Sequence, residues 1–496
     1  MCGIVGFVGS RGSVDVLLAG LKRLEYRGYD SAGIAYQNGR GTELFKTKGK
    51  IKDLQLILPL QTPVIHAGLG HTRWATHGEP STINAHPHCA DGVSVVHNGI
   101  IENYRQIRAK LEAEGSIFLS QTDTEVVPHL IAKYLRLGHP IEEAIRTAIS
   151  MLRGSFALGI LHEGSPDTLF AVRKGSPLVV GLGERSHFIA SDIPAILGHA
   201  DRFLFLEDGQ MAVLRPDRLE VHDIASGKPQ PHTGKITAIN WTPAMAEKQG
   251  YDHFMLKEIH EQPQGVADTL REWLDDTDRL LHELGIDKTV NNLRRLHIAA
   301  CGTSYHAGLV GRYLIEKFVR IPVAVDIASE FRYMSPVVPK GTLFITITQS
   351  GETADTLAAQ REAREKGALA FTICNVVGST STREADSVLY TRCGPEIGVA
   401  STKAFTAQLA ALCLLGMALG IRKGKLNKVE IDTLRQFLTD LPGLVRQALK
   451  TDHAVKEVAK TLVDAKTILY LGRGINYPVA LEGALKMKEL SYVHAE

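Results

Sequence analysis

Cysteine is scarce in this chain: six residues in 496, at positions 2, 89, 301, 374, 393 and 413. They are scattered and form no CxxC pair, so neither a disulfide framework nor a zinc ribbon is indicated. A reduced, cytoplasmic setting fits best. Charge of one sign is missing too. Lys and Arg total 56 against 54 Asp and Glu, a net charge of +2. That balance gives no electrostatic case for nucleic acid or an anionic membrane as a partner. Long apolar runs are also absent. The longest, 404–420, spans 17 residues and contains Thr406 and Gln408, so it reads as a buried helix rather than a membrane span. The start, MCGIVGFVGS, has no basic residues and its apolar run is broken by glycines, which argues against a signal peptide.

What is present is ordinary for a soluble globular protein: 44% apolar and 22% charged residues. A chain this long exceeds one core, so two to four domains are expected. To about residue 230 the texture is short β-branched runs with glycine turns, at 3–8, 33–36, 93–97 and 203–206. Two helical stretches interrupt them, at 14–24 and 125–137. Many strands with few helices predict packed sheets. From residue 240, Asn-Trp-Thr-Pro followed by a polar stretch reads as a linker over 240–252. Beyond it, strand-like runs at 296–300, 343–348, 368–374 and 387–390 alternate with helical segments, which predicts a parallel, doubly wound α/β sheet.

The chain also repeats itself. LHIAACGTSYHAGLVGRYLIEKF (296–318) is similar to TILYLGRGINYPVALEGALKMKEL (467–490), each a strand, a glycine turn and a helix. The expected organisation is therefore a first domain at 2–239, the linker, one α/β domain at 253–424, and the start of a second copy at 452–496. By analogy with the first copy, the second is expected to be incomplete, so the chain reads as C-terminally truncated.

Cys2 becomes the first residue once Met1 is removed. A free α-amine with a pKa near 8 could then serve as general base for its own thiol. On position alone, a small buried residue in a first strand fits equally well. The motifs that follow are EYRGYDSAG (25–33), HTRWATHG (71–78), NAHPH (84–88), VVHNGIIENY (95–104) and TDTE (122–125). Taken in order, they resemble the glutaminase domain of the amidotransferases with an N-terminal cysteine. The resemblance implies an αββα sandwich of the N-terminal nucleophile hydrolase type. It implies that Cys2 attacks the side-chain amide of L-glutamine, and that Asn98 with the Gly99 N–H forms the oxyanion hole. Arg73 would pair with the α-carboxylate and Asp123 would accept the α-ammonium. Thr76 and His77 would line the pocket and Trp74 would belong to a mobile cover. His86, His88 and Cys89 are close in sequence but show no zinc-ligand spacing with a matching second pair; no metal is expected, and His97 reads as structural.

In the second half, CGTSYHAG (301–308) and TQSGETADT (348–356) each sit where a strand ends and a helix opens. Backbone N–H groups at a helix start, ringed by hydroxyls, make an anion site. Helix capping alone would use the same residues. With EIGVASTKAFT (396–406), these motifs resemble the sugar isomerase domain. A glutaminase domain joined to two such domains resembles the glutamine–fructose-6-phosphate aminotransferases, transferases of amino sugar biosynthesis.

The resemblance implies that D-fructose 6-phosphate and L-glutamine give D-glucosamine 6-phosphate and L-glutamate, the first step toward UDP-N-acetylglucosamine, with no cofactor. Thr348, Gln349, Ser350 and Thr353 would hold the phosphate. Thr303 and Ser304 would contact the sugar, with Val399 and Ser401 beside it. Glu489 would move a proton between C1 and C2, with Lys486 close by; a homodimer through the isomerase domains is implied. Without the family match, Lys486 and Glu489 read as a surface pair three apart on a helix. The family's ring-opening histidine and imine-forming lysine lie in a part this chain does not match. The competing expectation is therefore a glutaminase alone, and exposed apolar faces are expected near the end of the chain.

Overall fold

The computed structural model describes residues 2–25, 28–59, 63–232, 235–239 and 241–496. Met1, Tyr26 and Arg27 of the 25–33 motif, and Asn240 at the start of the expected linker lie outside the described residues. The chain forms two compact units, Met1–Ala246 and Glu247–Glu496.

In the first unit, alternating apolar strands pair into two antiparallel sheets. One has eight strands in the order Ile236–Ala238, Arg202–Phe205, Val179–Leu182, Ser186–Ala190, Gly3–Ser13, Val64–Arg73, Ser31–Gln37, Thr42–Lys48. The other has six, in the order Arg218–Asp223, Gln210–Arg215, Leu169–Lys174, Gly154–His162, Val93–Ile101, His88–Ala90. Ile4, Val8, Leu69, Val96, Ala157 and Ile189 fill the space between the sheets. Helices Tyr104–Ala113, Val126–Arg136 and Ile141–Ser150 cover the outer face of the six-stranded sheet, packing Ile107, Leu130 and Ile145 on Val95 and Phe156. Helix Val14–Leu24 covers the eight-stranded sheet. Ser13 starts that helix by accepting the Asp15 N–H at 3.1 Å. Leu17 and Leu21, one turn apart, are fully buried beneath it, each worth about 1.5–3 kcal/mol of apolar burial. The result is the expected αββα sandwich. One expectation needs correction. The helices at 104–113 and 141–150 are additional to the two read from sequence, as is the short helix Ile51–Ile57.

The second unit is built on a five-stranded parallel sheet, ordered Val323–Ile327, Arg295–Ala300, Thr342–Thr348, Leu369–Cys374, Ser387–Tyr390. The edge strand Val323–Ile327 escaped the sequence reading because its polar Asp326 and half-buried residues break the apolar run. Numbered along the chain, the order is 2-1-3-4-5, a doubly wound arrangement whose switch point falls between Arg295–Ala300 and Thr342–Thr348. Both faces are covered, as a parallel sheet requires. Ile298, Ile345 and Phe371 face one helical layer, and Ala299 and Phe344 face Phe331, Ala359 and Ala363 on the other. Helix Lys403–Arg422 is long and apolar enough to cross a membrane by length and composition. Here it is a core helix, packed against Gly302–Val319 and Phe254–Leu270 with 15 of its 20 residues buried.

The repeated segment folds as its first copy does: strand Thr467–Ile468, a glycine turn, then helix Asn476–Ser491, with a parallel partner at His494–Ala495. Helix Asp452–Thr461 buries no residue, and Leu471 and Tyr492 are largely exposed.

Candidate active sites

Strand pairing sets the first site. Gly3 pairs with Thr72 and Ile4 with His71, so Cys2 emerges beside Arg73 and Trp74. The Trp74 N–H donates to Cys2 Sγ at 3.3 Å, and the thiol lies 3.5 Å from the Trp74 carbonyl. Burial pushes the Cys2 thiol up. The Trp74 N–H and the Arg73 charge pull against that, while the Asp30 carboxylate adds to it. A thiol held this way needs a base to become a nucleophile.

Asn98 reaches the same point from the other sheet. Its Nδ2 donates to the Cys2 carbonyl at 3.0 Å. Gly99 follows in the left-handed region at φ 127°, and a Cβ there would collide with the Ser155 carbonyl, so only glycine lets this strand run so close to its neighbour. Asp123 is buried and accepts the Ile101 N–H through Oδ2 at 2.8 Å, which ties it to the end of the Asn98 strand. Arg73 is buried, and burial lowers its pKa against the pull of Asp30. Its guanidinium donates to the His77, Gly78 and Glu79 carbonyls. The 77–79 turn is thus wrapped around Arg73. Thr76 is exposed on this turn. His77 packs edge-on against Tyr104 at 5.4 Å, and the half-exposed Trp74 packs edge-on against Tyr29 at 5.2 Å.

Beneath lies a layer of buried imidazoles. His86 packs at a tilt on His71 at 4.2 Å and meets His88 edge-on at 4.8 Å. The Thr124 hydroxyl bridges His86 Nε2 and His97 Nδ1, each at 2.8 Å. Burial lowers the pKa of all four rings, His71 to about 3, so they pack as neutral groups. Among the described residues, no group of three or more His, Cys, Asp or Glu could hold a metal ion.

The second site lies at the switch point of the parallel sheet, where ligands of such sheets bind. Cys301 ends one strand and caps helix Gly302–Val319. Beside it, Thr348 ends the next strand and takes the Gly351 N–H at 3.1 Å. Gly351, at φ 70°, turns against Ser379 so closely that a Cβ has no room. Ser350 Oγ accepts the Glu352 N–H at 3.2 Å. Gln349 lends its carbonyl to the Asn375 N–H. Thr353 caps helix Ala354–Glu365 with no side-chain cap bond. Ser304 accepts from Gln408 at 3.0 Å, Ser401 donates to Glu396 at 2.8 Å, and Val399 is exposed.

Helix Asn476–Ser491 joins this site through one chain of contacts. Lys486 Nζ donates to Thr303 Oγ1 at 2.9 Å and pairs with Glu489 at 2.6 Å. Two further members, Glu482 and His306, were not read from sequence. Glu482 takes the Thr303 hydroxyl at 2.9 Å and lies 2.8 Å from His306 Nδ1. The available signal was spacing: 482, 486 and 489 share one helix face. Their partner, 176 residues earlier, was not legible. Glu258 was missed as well. It is buried and accepts the Ile397 and Gly398 N–H groups at 2.6 and 3.0 Å, pinning the loop that carries Val399 and Ser401. Burial, opposed by those N–H groups, raises its pKa from 4.5 to about 7.

Residues 72–198 match the glutamine amidotransferase domain family, and residues 290–418 match the SIS domain family. A glutamine–fructose-6-phosphate aminotransferase (isomerizing) of Clostridium tetani is 49% identical over 500 residues, which covers 100% of this chain and 81% of that protein. The same-named protein of Symbiobacterium thermophilum is 50% identical over 501 residues, with the same coverage. Among solved structures, the C-terminal domain of glucosamine-fructose-6-phosphate aminotransferase from Francisella tularensis is 43% identical, with a TM-score of 0.49, and covers 50% of this chain and 71% of that one.

Proposed function

The chain belongs to the family of isomerizing glutamine–fructose-6-phosphate aminotransferases, and we propose that it moves the amide nitrogen of L-glutamine onto D-fructose 6-phosphate, giving D-glucosamine 6-phosphate and L-glutamate. Its relatives, matched along 100% of this chain, give no preference to hydrolysis of glutamine alone. The observation that carries the reading is the meeting of Cys2 with Asn98 Nδ2 from the facing sheet.

With Met1 removed, the Cys2 α-amine takes the thiol proton and Sγ attacks the glutamine side-chain carbonyl. Charge then develops on the carbonyl oxygen, where Asn98 Nδ2 and the Gly99 N–H donate; each such donor is worth about 3 kcal/mol of transition-state stabilisation. Collapse breaks the C–N bond, the amine returns its proton, ammonia leaves, and water hydrolyses the thioester to glutamate. Arg73, Thr76, His77 and Asp123 bind the substrate's α-carboxylate and α-ammonium ends, and Trp74 closes over it.

At the second site, Thr348, Gln349, Ser350 and Thr353 hold the phosphate at a helix start. Thr303, Ser304, Val399 and Ser401 bound the sugar. Glu489 carries a proton between C1 and C2, a task suited to a carboxylate within reach of both carbons, and Lys486 keeps it in place until sugar enters. Homodimerisation through the sugar isomerase domains and a cytoplasmic setting, without nucleic acid or membrane partners, belong to the same proposal.

The test follows the nitrogen. Glutamine labelled with ¹⁵N in the amide, supplied with fructose 6-phosphate, should give ¹⁵N-labelled glucosamine 6-phosphate with one glutamate per amino sugar. Glutamate without labelled amino sugar would refute the transfer, and absence of both products would refute the glutaminase chemistry as well.

A further inference from the structure

An oxyanion donor must face the right way, and a carboxamide has two nearly equivalent orientations. Asn98 lies between two fixed points. On one side its amide meets the Cys2 carbonyl at 3.0 Å. On the other it lies 3.1 Å from His71 Nε2, which also lies 3.0 Å from the His97 carbonyl. Backbone carbonyls only accept. The His97 carbonyl therefore requires a proton on His71 Nε2. That N–H, shared between two acceptors, requires an oxygen on the Asn98 atom facing it. The Cys2 carbonyl independently requires the nitrogen on the opposite side. Among the described residues the other ring nitrogen, His71 Nδ1, is buried with no hydrogen-bond partner, so no acceptor there competes for the ring's single proton.

We propose that His71 is a positioning residue for the glutaminase reaction: its Nε2–H holds Asn98 Oδ1 and so keeps the Nδ2 donor aimed at the oxyanion. This rests on the reading of Asn98 given above. His71 stands on strand Val64–Arg73 of one sheet and Asn98 on strand Val93–Ile101 of the other, so the contact adds a second hold, at the oxygen, to the one the Cys2 carbonyl has on the nitrogen. Burial keeps the ring neutral, with a pKa of about 3, and the two acceptors facing Nε2 place its one proton there. The neighbouring rings of His86 and His97 take their bonds from Thr124 and leave His71 alone on Asn98.

Four forms of the full chain with Met1 removed test this: His71→Leu, His71→Gln, Asn98→Ala and His71→Leu/Asn98→Ala. A glutamine side chain can put an amide N–H near the position of Nε2, whereas leucine fills similar space without a donor. His71→Leu is expected to lower kcat for glutamine hydrolysis roughly 10–100-fold with KM little changed, as loss of transition-state stabilisation should. Alkylation of Cys2 by iodoacetamide, which develops no oxyanion, should stay at its original rate. His71→Gln should recover most of kcat. In the Asn98→Ala background, His71→Leu should cost nothing further, because groups acting through one another are not additive. The proposal is overturned if His71→Gln is as slow as His71→Leu, if the two losses multiply, or if iodoacetamide alkylation falls in step with kcat. Should His71→Leu not fold, His71→Gln still decides: kcat lowered more than a few-fold, with iodoacetamide reactivity intact, contradicts the proposal. If Asn98→Ala itself leaves kcat unchanged, the oxyanion reading fails instead, a distinguishable result.

Discussion

The two units solve opposite electrostatic problems. Around Asn98 the packing layer is neutral, with four buried imidazoles of lowered pKa, a carboxamide and backbone donors, and the buried Arg73 and Asp123 side chains stand beside it. Around Thr303 the groups are ionic, with Lys486 between Glu482 and Glu489 and His306 beyond. The difference follows from when charge arises. The glutaminase substrate has a neutral amide that becomes an oxyanion only in transit, so fixed neutral donors suffice and cost little reorganisation. The sugar substrate brings a phosphate and needs a mobile proton. Helix starts, hydroxyls and a carboxylate held by an ammonium suit that task.

This contrast can be broken at several points. The largest effect is expected from Cys2→Ala, which should lower glutamine hydrolysis by about 10⁴-fold or more, as loss of a nucleophile does, while fructose 6-phosphate still binds by calorimetry. Glu489→Gln should reduce amino sugar formation about 10²–10⁴-fold, the usual share of a general base, and leave glutamate release in place; coupled assays of both products read this directly. Ser350→Ala removes a hydroxyl near the phosphate and should weaken fructose 6-phosphate binding about 10-fold, the worth of a hydrogen bond to a charged group, with basal glutaminase unchanged. Loss of glutamine hydrolysis in that variant would contradict the division of labour.

The smallest effect concerns pH. Glu258 has an ordinary pKa of 4.5 and a folded value of about 7. The folded chain therefore binds more protons than the unfolded chain between those values, and stability falls as pH rises through that window. Glu258→Gln should flatten this part of the stability profile, measured by thermal denaturation between pH 4.5 and 7.5. An unchanged slope would show that the carboxyl does not titrate there.

Much of the molecule was legible where the signal is local. Packed sheets and the doubly wound sheet follow from strand texture and strand–turn–helix alternation, while the αββα layering, Cys2 and Asn98-Gly99 came from short motifs through the resemblance they carry. Helix Tyr104–Ala113 was not, because only Ile107 and Leu111 are buried along it, too thin a stripe to show a helical period. Helix Ile141–Ser150 hides half its buried face in Ala144 and Ala148. The supporting contacts were out of reach for a different reason. His71 on Asn98, Glu482 on His306 and Glu258 on Gly398 join residues 27, 176 and 140 positions apart, and each is a common residue type whose partner only the fold supplies. Arg73 shows the same limit: its residue type suggested carboxylate binding, while its bonds to the 77–79 carbonyls emerged only with the turn itself.

The central claim is that Cys2 attacks the glutamine side chain. Intact-mass and peptide analysis after treatment with an electrophilic glutamine analogue tests it most directly. The account predicts one adduct per chain, on Cys2, blocked by excess glutamine and absent in Cys2→Ala; an adduct on another residue, or equal labelling of Cys2→Ala, would contradict it.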